Sequence, residues 1–161
     1  MQAKIVEKEA LTAVGYCWKG TFEQAGAGEI RSLMSQFREK MNEIPYLTSK
    51  ESILGLSFDV SKEGFTYYIC REVHKVDELP NGMKAVSIPS LTYATYKHSV
   101  DQDIEESYST IYKWMKEKGY AEDDKQKLTH FEIYPMKYDP MRDRPELTIN
   151  IPIVTKGIKN D

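Results

Sequence analysis

A six-residue echo divides the chain in two. Leu11-Thr12-Ala13-Val14-Gly15-Tyr16 returns eighty positions later as Leu91-Thr92-Tyr93-Ala94-Thr95-Tyr96, and similarity at a long separation marks a duplicated unit. The segments downstream of the two copies agree more than the echo itself. After the first, Ile30, Leu33, Met34, Phe37, Met41 and Ile44 recur at three- and four-residue spacing, the stripe of an amphipathic helix. After the second, Ile104, Tyr108, Ile111 and Met115 do the same, with Asp101 or Asp103 as N-cap and Gly119 as C-terminal stop.

Two strand-like runs then succeed each helix. In the first half they are Ile53 to Val60 and Phe65 to Val73, joined by the hairpin turn Ser61-Lys62-Glu63-Gly64. In the second they are Lys127 to Tyr134 and Glu146 to Val154. Leu147, Ile149, Ile151 and Ile153 alternate there with Thr148, Asn150 and Pro152, the period-two pattern of a strand with one buried face. Pro152 places that strand at an edge or marks its end. The segment Val76 to Pro89, with its Pro80-Asn81-Gly82 turn, joins the halves. Each half reads strand–helix–strand–strand, and neither alone covers its sheet face. The expected fold is therefore α+β: halves of about 1–75 and 83–155 fused around a pseudo-two-fold axis into one domain spanning 1–161, an antiparallel sheet with two helices on one face.

The 25 acidic and 22 basic residues leave a net charge of −3, which disfavours a sequence-independent nucleic-acid binder. Cys17 and Cys70 make no disulfide framework and read as thiols of a cytoplasmic protein. No stretch approaches the roughly 20 apolar residues of a membrane span, and the first nine residues hold no apolar signal-peptide core. Phosphate loop, nucleotide-binding glycine fingerprint, serine elbow and Cys-x-x-Cys are all missing. Gly26-Ala27-Gly28 reads as a flexible helix start. His74, His98 and His130 lie beyond metal-ligand spacing on one element. Neither a metal nor another cofactor is expected.

Aromatic residues are the surplus: eleven Tyr, two Trp and five Phe. Tyr16 and Trp18, Tyr67 and Tyr68, and Tyr93 and Tyr96 all fall in strands. Core packing accounts for any one of them. Tyrosine hydroxyls nonetheless resist burial without a partner, so the group as a whole suits a pocket lined with rings. Within His130-Phe131-Glu132-Ile133-Tyr134, Glu132 places a carboxylate mid-strand. It either faces water or sits in an apolar site that needs a compensating partner. Parity puts His130, Glu132 and Tyr134 on one face without saying which.

These segments resemble the gyrase-inhibitor-like effector-binding domains, found also on AraC-type and MerR-type transcription regulators. Phe65-Thr66-Tyr67-Tyr68 is similar to that family's third-strand motif, and Ile88-Pro89-Ser90-Leu91-Thr92-Tyr93-Ala94 to its inter-half strand. Phe131-Glu132-Ile133-Tyr134, Tyr138-Asp139-Pro140 and Leu147-Thr148-Ile149-Asn150-Ile151-Pro152-Ile153 are similar to its C-terminal signature. Cys70 stands where many members have glycine, and His98-Ser99 lacks the glycine that commonly comes after the second repeat strand. The resemblance covers nearly the whole chain and implies a groove between two helices that binds apolar, often cationic, small molecules. Glu132 maps to the glutamate at its base and Tyr68 to its third-strand aromatic. Tyr134, Tyr16, Trp18, Phe37 and Tyr108 are further candidates for its lining, and Met115 for a wall.

Three functions compete. In the leading one, a lipophilic cation slides between ring faces, each contact contributing roughly 0.5–2 kcal/mol when desolvated, and Glu132 supplies the opposite charge. In the second, which the resemblance also implies, the chain hydrolyses an electrophilic small molecule, with Glu132 as general base and Tyr68 or Tyr134 orienting the substrate. In the third it sequesters a protein partner. Direct contact with nucleic acid is not expected, since no helix-turn-helix unit remains once both repeats are assigned.

Overall fold

Ten-residue runs rich in β-branched and aromatic side chains build the centre of the molecule. The computed structural model describes residues 3–154. Its elements are β1 (Lys4–Lys8), β2 (Leu11–Gly20), α1 (Phe22–Gly26), α2 (Glu29–Lys40), β3 (Ser52–Ser61), β4 (Gly64–Val73), β5 (Lys84–Ile88), β6 (Leu91–His98), α3 (Ile104–Lys118), β7 (Leu128–Pro135) and β8 (Leu147–Pro152). All eight strands join one sheet in the order β1-β6-β8-β7-β3-β4-β2-β5, every neighbouring pair antiparallel. The order is a palindrome of equivalents: β1 answers β5, β6 answers β2, β8 answers β4 and β7 answers β3. The pseudo-two-fold axis passes between β7 and β3.

The register carries the duplication further than the echo did. Lys4 pairs with Thr95 on β6, and Lys84 pairs with Gly15 on β2; both members of the second pair are the eighty-residue counterparts of the first. Each half thus lends its first strand to the edge of the other. The strand–helix–strand–strand reading lacked these two strands. The segment Val76 to Pro89, read as a connector, carries β5 beyond its turn, where Gly82 takes φ 81° and Met83 N–H donates to Pro80 O at 3.0 Å.

Pro152 ends its strand, as read, but β8 is interior rather than at an edge. Ile153 N–H donates to Thr92 O on the β6 side. Alternation then turns the Pro152 nitrogen toward β7, whose ladder with β8 stops at the Phe131–Asn150 pair. The missing N–H therefore costs no ladder bond.

The first helical segment is broken in two. Thr21 and Gln24 close a capping box over α1, and Gly28 at φ 103° makes the joint before α2, a backbone angle that disfavours any side chain. The apolar stripe outruns α2: Met41 opens a 3₁₀ turn over Met41–Glu43, and Ile44 lies beyond it. Asp103 holds the N-cap position of α3 without a side-chain bond, and Gly119 at φ 82° stops that helix.

Phe37 of α2 and Ile111 and Met115 of α3 bury against Val14, Ile69, Ile149 and Ile151 on one sheet face. Leu54, Leu56, Cys70, Tyr93 and Phe131 bury among themselves on the other face, where Tyr93 and Phe131 meet edge to face at 5.8 Å. Burial on both faces fixes the register, because a one-residue slip would exchange the two sets. No helix among the described residues is long and apolar enough to cross a membrane.

Candidate functional site

The central strand pair puts one charge on the symmetry axis. Cys70 Sγ lies 3.7 Å from Leu54 O, and its counterpart Asn150 donates through Nδ2 to Phe131 O at 3.2 Å. Leu54 and Phe131 are therefore equivalent, and so are the residues next in sequence, Gly55 and Glu132. These two face each other across the β3–β7 pair. One half supplies a carboxylate and the other only a hydrogen atom.

Parity carries His130, Glu132 and Tyr134 to the helix face, beneath α3. Tyr108, in the second turn of that helix, donates its hydroxyl to Glu132 Oε2, and Tyr134 donates to Oε1 at 2.5 Å. The Tyr108 hydroxyl also lies 3.4 Å from His130 Nδ1, with the two rings 5.0 Å apart. Glu132 is half-buried and makes no ion pair among the described residues. Its negative charge is met by hydroxyl donors alone.

Tyr67 completes the cage from β4. It is 3% exposed, and its hydroxyl is buried without a hydrogen-bond partner. Gly55 makes room for it, since a Cβ there would stand 2.5 Å from the Tyr67 oxygen. Burial, and then the Glu132 charge, hold the hydroxyls of Tyr67, Tyr108 and Tyr134 well above the usual tyrosine range. Burial pushes His130 down, against the pull of Glu132. Neutral, proton-keeping hydroxyls thus surround one carboxylate, two of them donating to it. Tyr138 stacks on Tyr134 at 5.4 Å and 13°, and Arg38 of α2 secures that loop by donating to Met136 O and Tyr138 O at 2.9 and 2.8 Å.

Of the residues singled out from sequence, Glu132, Tyr108 and Tyr134 come together here. Phe37 and Met115 are core under the helices, and Tyr16 meets Phe37 edge to face at 5.9 Å. Trp18 belongs to a separate group: its indole N–H donates to Glu29 at 3.0 Å and its ring packs on Phe65. Tyr68 requires a correction. It points to the opposite face and packs on Phe58, because adjacent strand residues alternate, and Tyr67 takes the place expected of it. Tyr67, Tyr138 and His130 were not assigned to the site from sequence. Knowing which β4 residue shares a face with Glu132 would have found the first, and that requires the β3–β4 and β3–β7 registers. Tyr134 also lines a surface hollow of about 250 Å³ beside Ile133, Pro135 and Leu147, while the half-buried Glu132 carboxylate is covered by the hydroxyls of Tyr108 and Tyr134.

A duplicated antiparallel sheet with helices on one face is the architecture of the gyrase-inhibitor-like, effector-binding class of small-molecule-binding domains. The sequence match narrows the class to a particular family. Residues 4–153 fit the model of the integron-associated effector binding protein, Cass2, and the chain belongs to that family. No match to the chain is found among curated protein sequences. Among solved structures, that of SAV2435 bound to tetraphenylphosphonium superposes with a TM-score of 0.71 at 14% identity, covering 99% of this chain and 98% of that one. An integron cassette protein from the mobile metagenome of Vibrio cholerae gives 0.59 at 16%, with 94% and 95% covered. The C-terminal domain of EcmrR gives 0.65 at 17%, with 95% and 97% covered. At these identities the likeness is one of fold.

Proposed function

We propose that this domain binds lipophilic organic cations at Glu132 and acts as a sensor for such compounds, passing the signal to a regulatory protein partner rather than contacting nucleic acid itself. One observation carries the reading: a half-buried carboxylate, held by Tyr108 and Tyr134, has aromatic rings around it and no cation of its own among the described residues. A bound cation would supply that charge and meet ring faces besides. The tetraphenylphosphonium complex of a protein with this fold supports the same ligand class. To reach the carboxylate the ligand turns Tyr108 or Tyr134 off it, replacing a hydrogen bond with an ionic contact.

Titration of the whole chain with tetraphenylphosphonium, read by tryptophan fluorescence and calorimetry, tests this. Glu132→Gln keeps the shape and removes the charge, and should weaken binding by about tenfold or more, the size expected when a desolvated charge loses its partner. Triphenylphosphine oxide, neutral and nearly as large, should bind the parent weakly and the variant equally so. Unchanged affinity for the cation in Glu132→Gln would remove the reading.

A further inference from the structure

Arg71 breaks the symmetry that the rest of its strand obeys. Toward the helices β4 presents Tyr67, Ile69, Arg71 and Val73; eighty positions on, β8 and the residue after it present Leu147, Ile149, Ile151 and Ile153. The counterpart Ile151 is fully buried, so an aliphatic side chain satisfies the packing at this place. Arg71 puts a guanidinium there. It is 3% exposed, its Nε is buried without a partner, and its side chain makes no hydrogen bond or ion pair with any described residue. A core seldom keeps a polar nitrogen buried without a partner, because its desolvation is uncompensated, and the rest of the guanidinium opens onto a hollow beside it. Burial also lowers its proton affinity.

The side chain lines a hollow of about 530 Å³ at the C-terminal end of α2. Met41, Ile44 and Leu47 give it apolar walls, Lys50 brings a second positive charge and Asn42 an amide; no carboxylate lines it. One wall is a strap laid along the end of β4. Tyr46 O accepts from His74 N–H at 3.0 Å, Thr48 N–H donates to Glu72 O at 2.9 Å, and Leu47 bridges to Val73. The strap holds Tyr46 at φ 65°, a backbone angle uncommon for a bulky side chain. In the other half Glu122 makes the matching bridge to Ile153, but beside Ile151, without the charge. The difference between the halves is electrostatic.

We propose that this hollow is a second ligand site, separate from the tyrosine cage, and that it takes a small organic anion: a carboxylate with a compact apolar tail. Its oxygens meet the Arg71 fork and the Lys50 ammonium, and its tail lies on Met41, Ile44 and Leu47. A guanidinium fork matches carboxylate and phosphate alike. The apolar walls are what select the carboxylate with a tail.

Calorimetry and thermal melts of the whole chain with hexanoate, acetate and inorganic phosphate test the assignment. Hexanoate should bind saturably and at least about tenfold more tightly than acetate, through the added buried methylenes. Arg71→Met should abolish that response and, with the unpaired charge gone, melt no lower than the parent when no anion is present. Lys50→Gln, at an exposed rim position, should weaken hexanoate several-fold and serves if Arg71→Met does not fold. Absence of saturable hexanoate binding up to tens of millimolar would overturn the proposal. So would full binding by Arg71→Met, hexanoate no tighter than phosphate or acetate, or an unaltered affinity in Lys50→Gln.

Discussion

Tyr67, Tyr108 and Tyr134 keep their protons in the fold because burial and the neighbouring Glu132 charge both oppose a phenolate. The consequence for stability has a definite sign. The unfolded chain releases these protons near pH 10 while the folded one retains them, so the stability they lend is complete below about pH 10 and is lost as pH rises toward their folded values. Each group contributes about 1.4 kcal/mol per pH unit in that window. Urea melts followed by circular dichroism should therefore show a steep fall above about pH 10. Tyr67→Phe deletes a hydroxyl that bonds to nothing, so it should leave the neutral-pH midpoint nearly unchanged and make the alkaline fall shallower by one proton. An identical alkaline slope in that variant would contradict the account. His98 and His130 act at the other end. Burial lowers both, so their contribution is present above about pH 6.5 and is lost as pH falls through their folded values.

At the scale of elements, the site exists because β3 and β7 are unequal copies. Gly55 sits where its counterpart carries Glu132, and the space it leaves admits the Tyr67 ring. Gly55→Ala should force that ring aside, costing about 1–3 kcal/mol as overpacking of a filled core does, and should lower tetraphenylphosphonium affinity along with stability. Thermal melts and the same titration measure both; an alanine tolerated without loss of either would show that the ring has room to spare. The long elements were legible in the sequence because their periodicity runs over six residues or more, as in the stripe of α3 and the alternation from Leu147 to Ile153, and the hairpin because Ser61-Lys62-Glu63-Gly64 has turn chemistry. β1 and β5 were not. Each is only five residues long, too short for a period to stand out, and each pairs with the distant half. The carboxylate was readable as an anomaly within a strand, and Tyr108 and Tyr134 were named with it. Tyr67 against Tyr68 was not decidable, because alternation fixes that the two oppose each other but not which one faces the helices.

For the whole molecule, the exchange of first strands means that neither half is a closed unit. β6 is covered at its outer edge by β1, and β2 by β5, with the same register at both places. Chain order is then a matter of which inter-half connection is cut. In the natural order residues 74–83 carry the chain from the end of β4 to the start of β5. The symmetry-equivalent gap, from Ile153 to Lys4, is the one a circular permutant must cross, and residues 154–161 followed by 1–3 supply eleven residues where the natural connection uses ten. A permutant beginning at Met83 and ending at Gly82 should therefore fold to the same sheet, with β5 as its first strand and β1 arriving in the middle. Loop-closure entropy changes by well under about 1 kcal/mol for connections of such similar length, so its urea midpoint should lie near that of the parent and its tetraphenylphosphonium affinity should be retained. The contrasting variant deletes residues 1–9. It leaves the second half intact in sequence but strips the outer edge of β6, and it should lose far more stability than the permutant. If the deletion were harmless while the permutant failed to fold, the exchanged strands would not be what joins the halves.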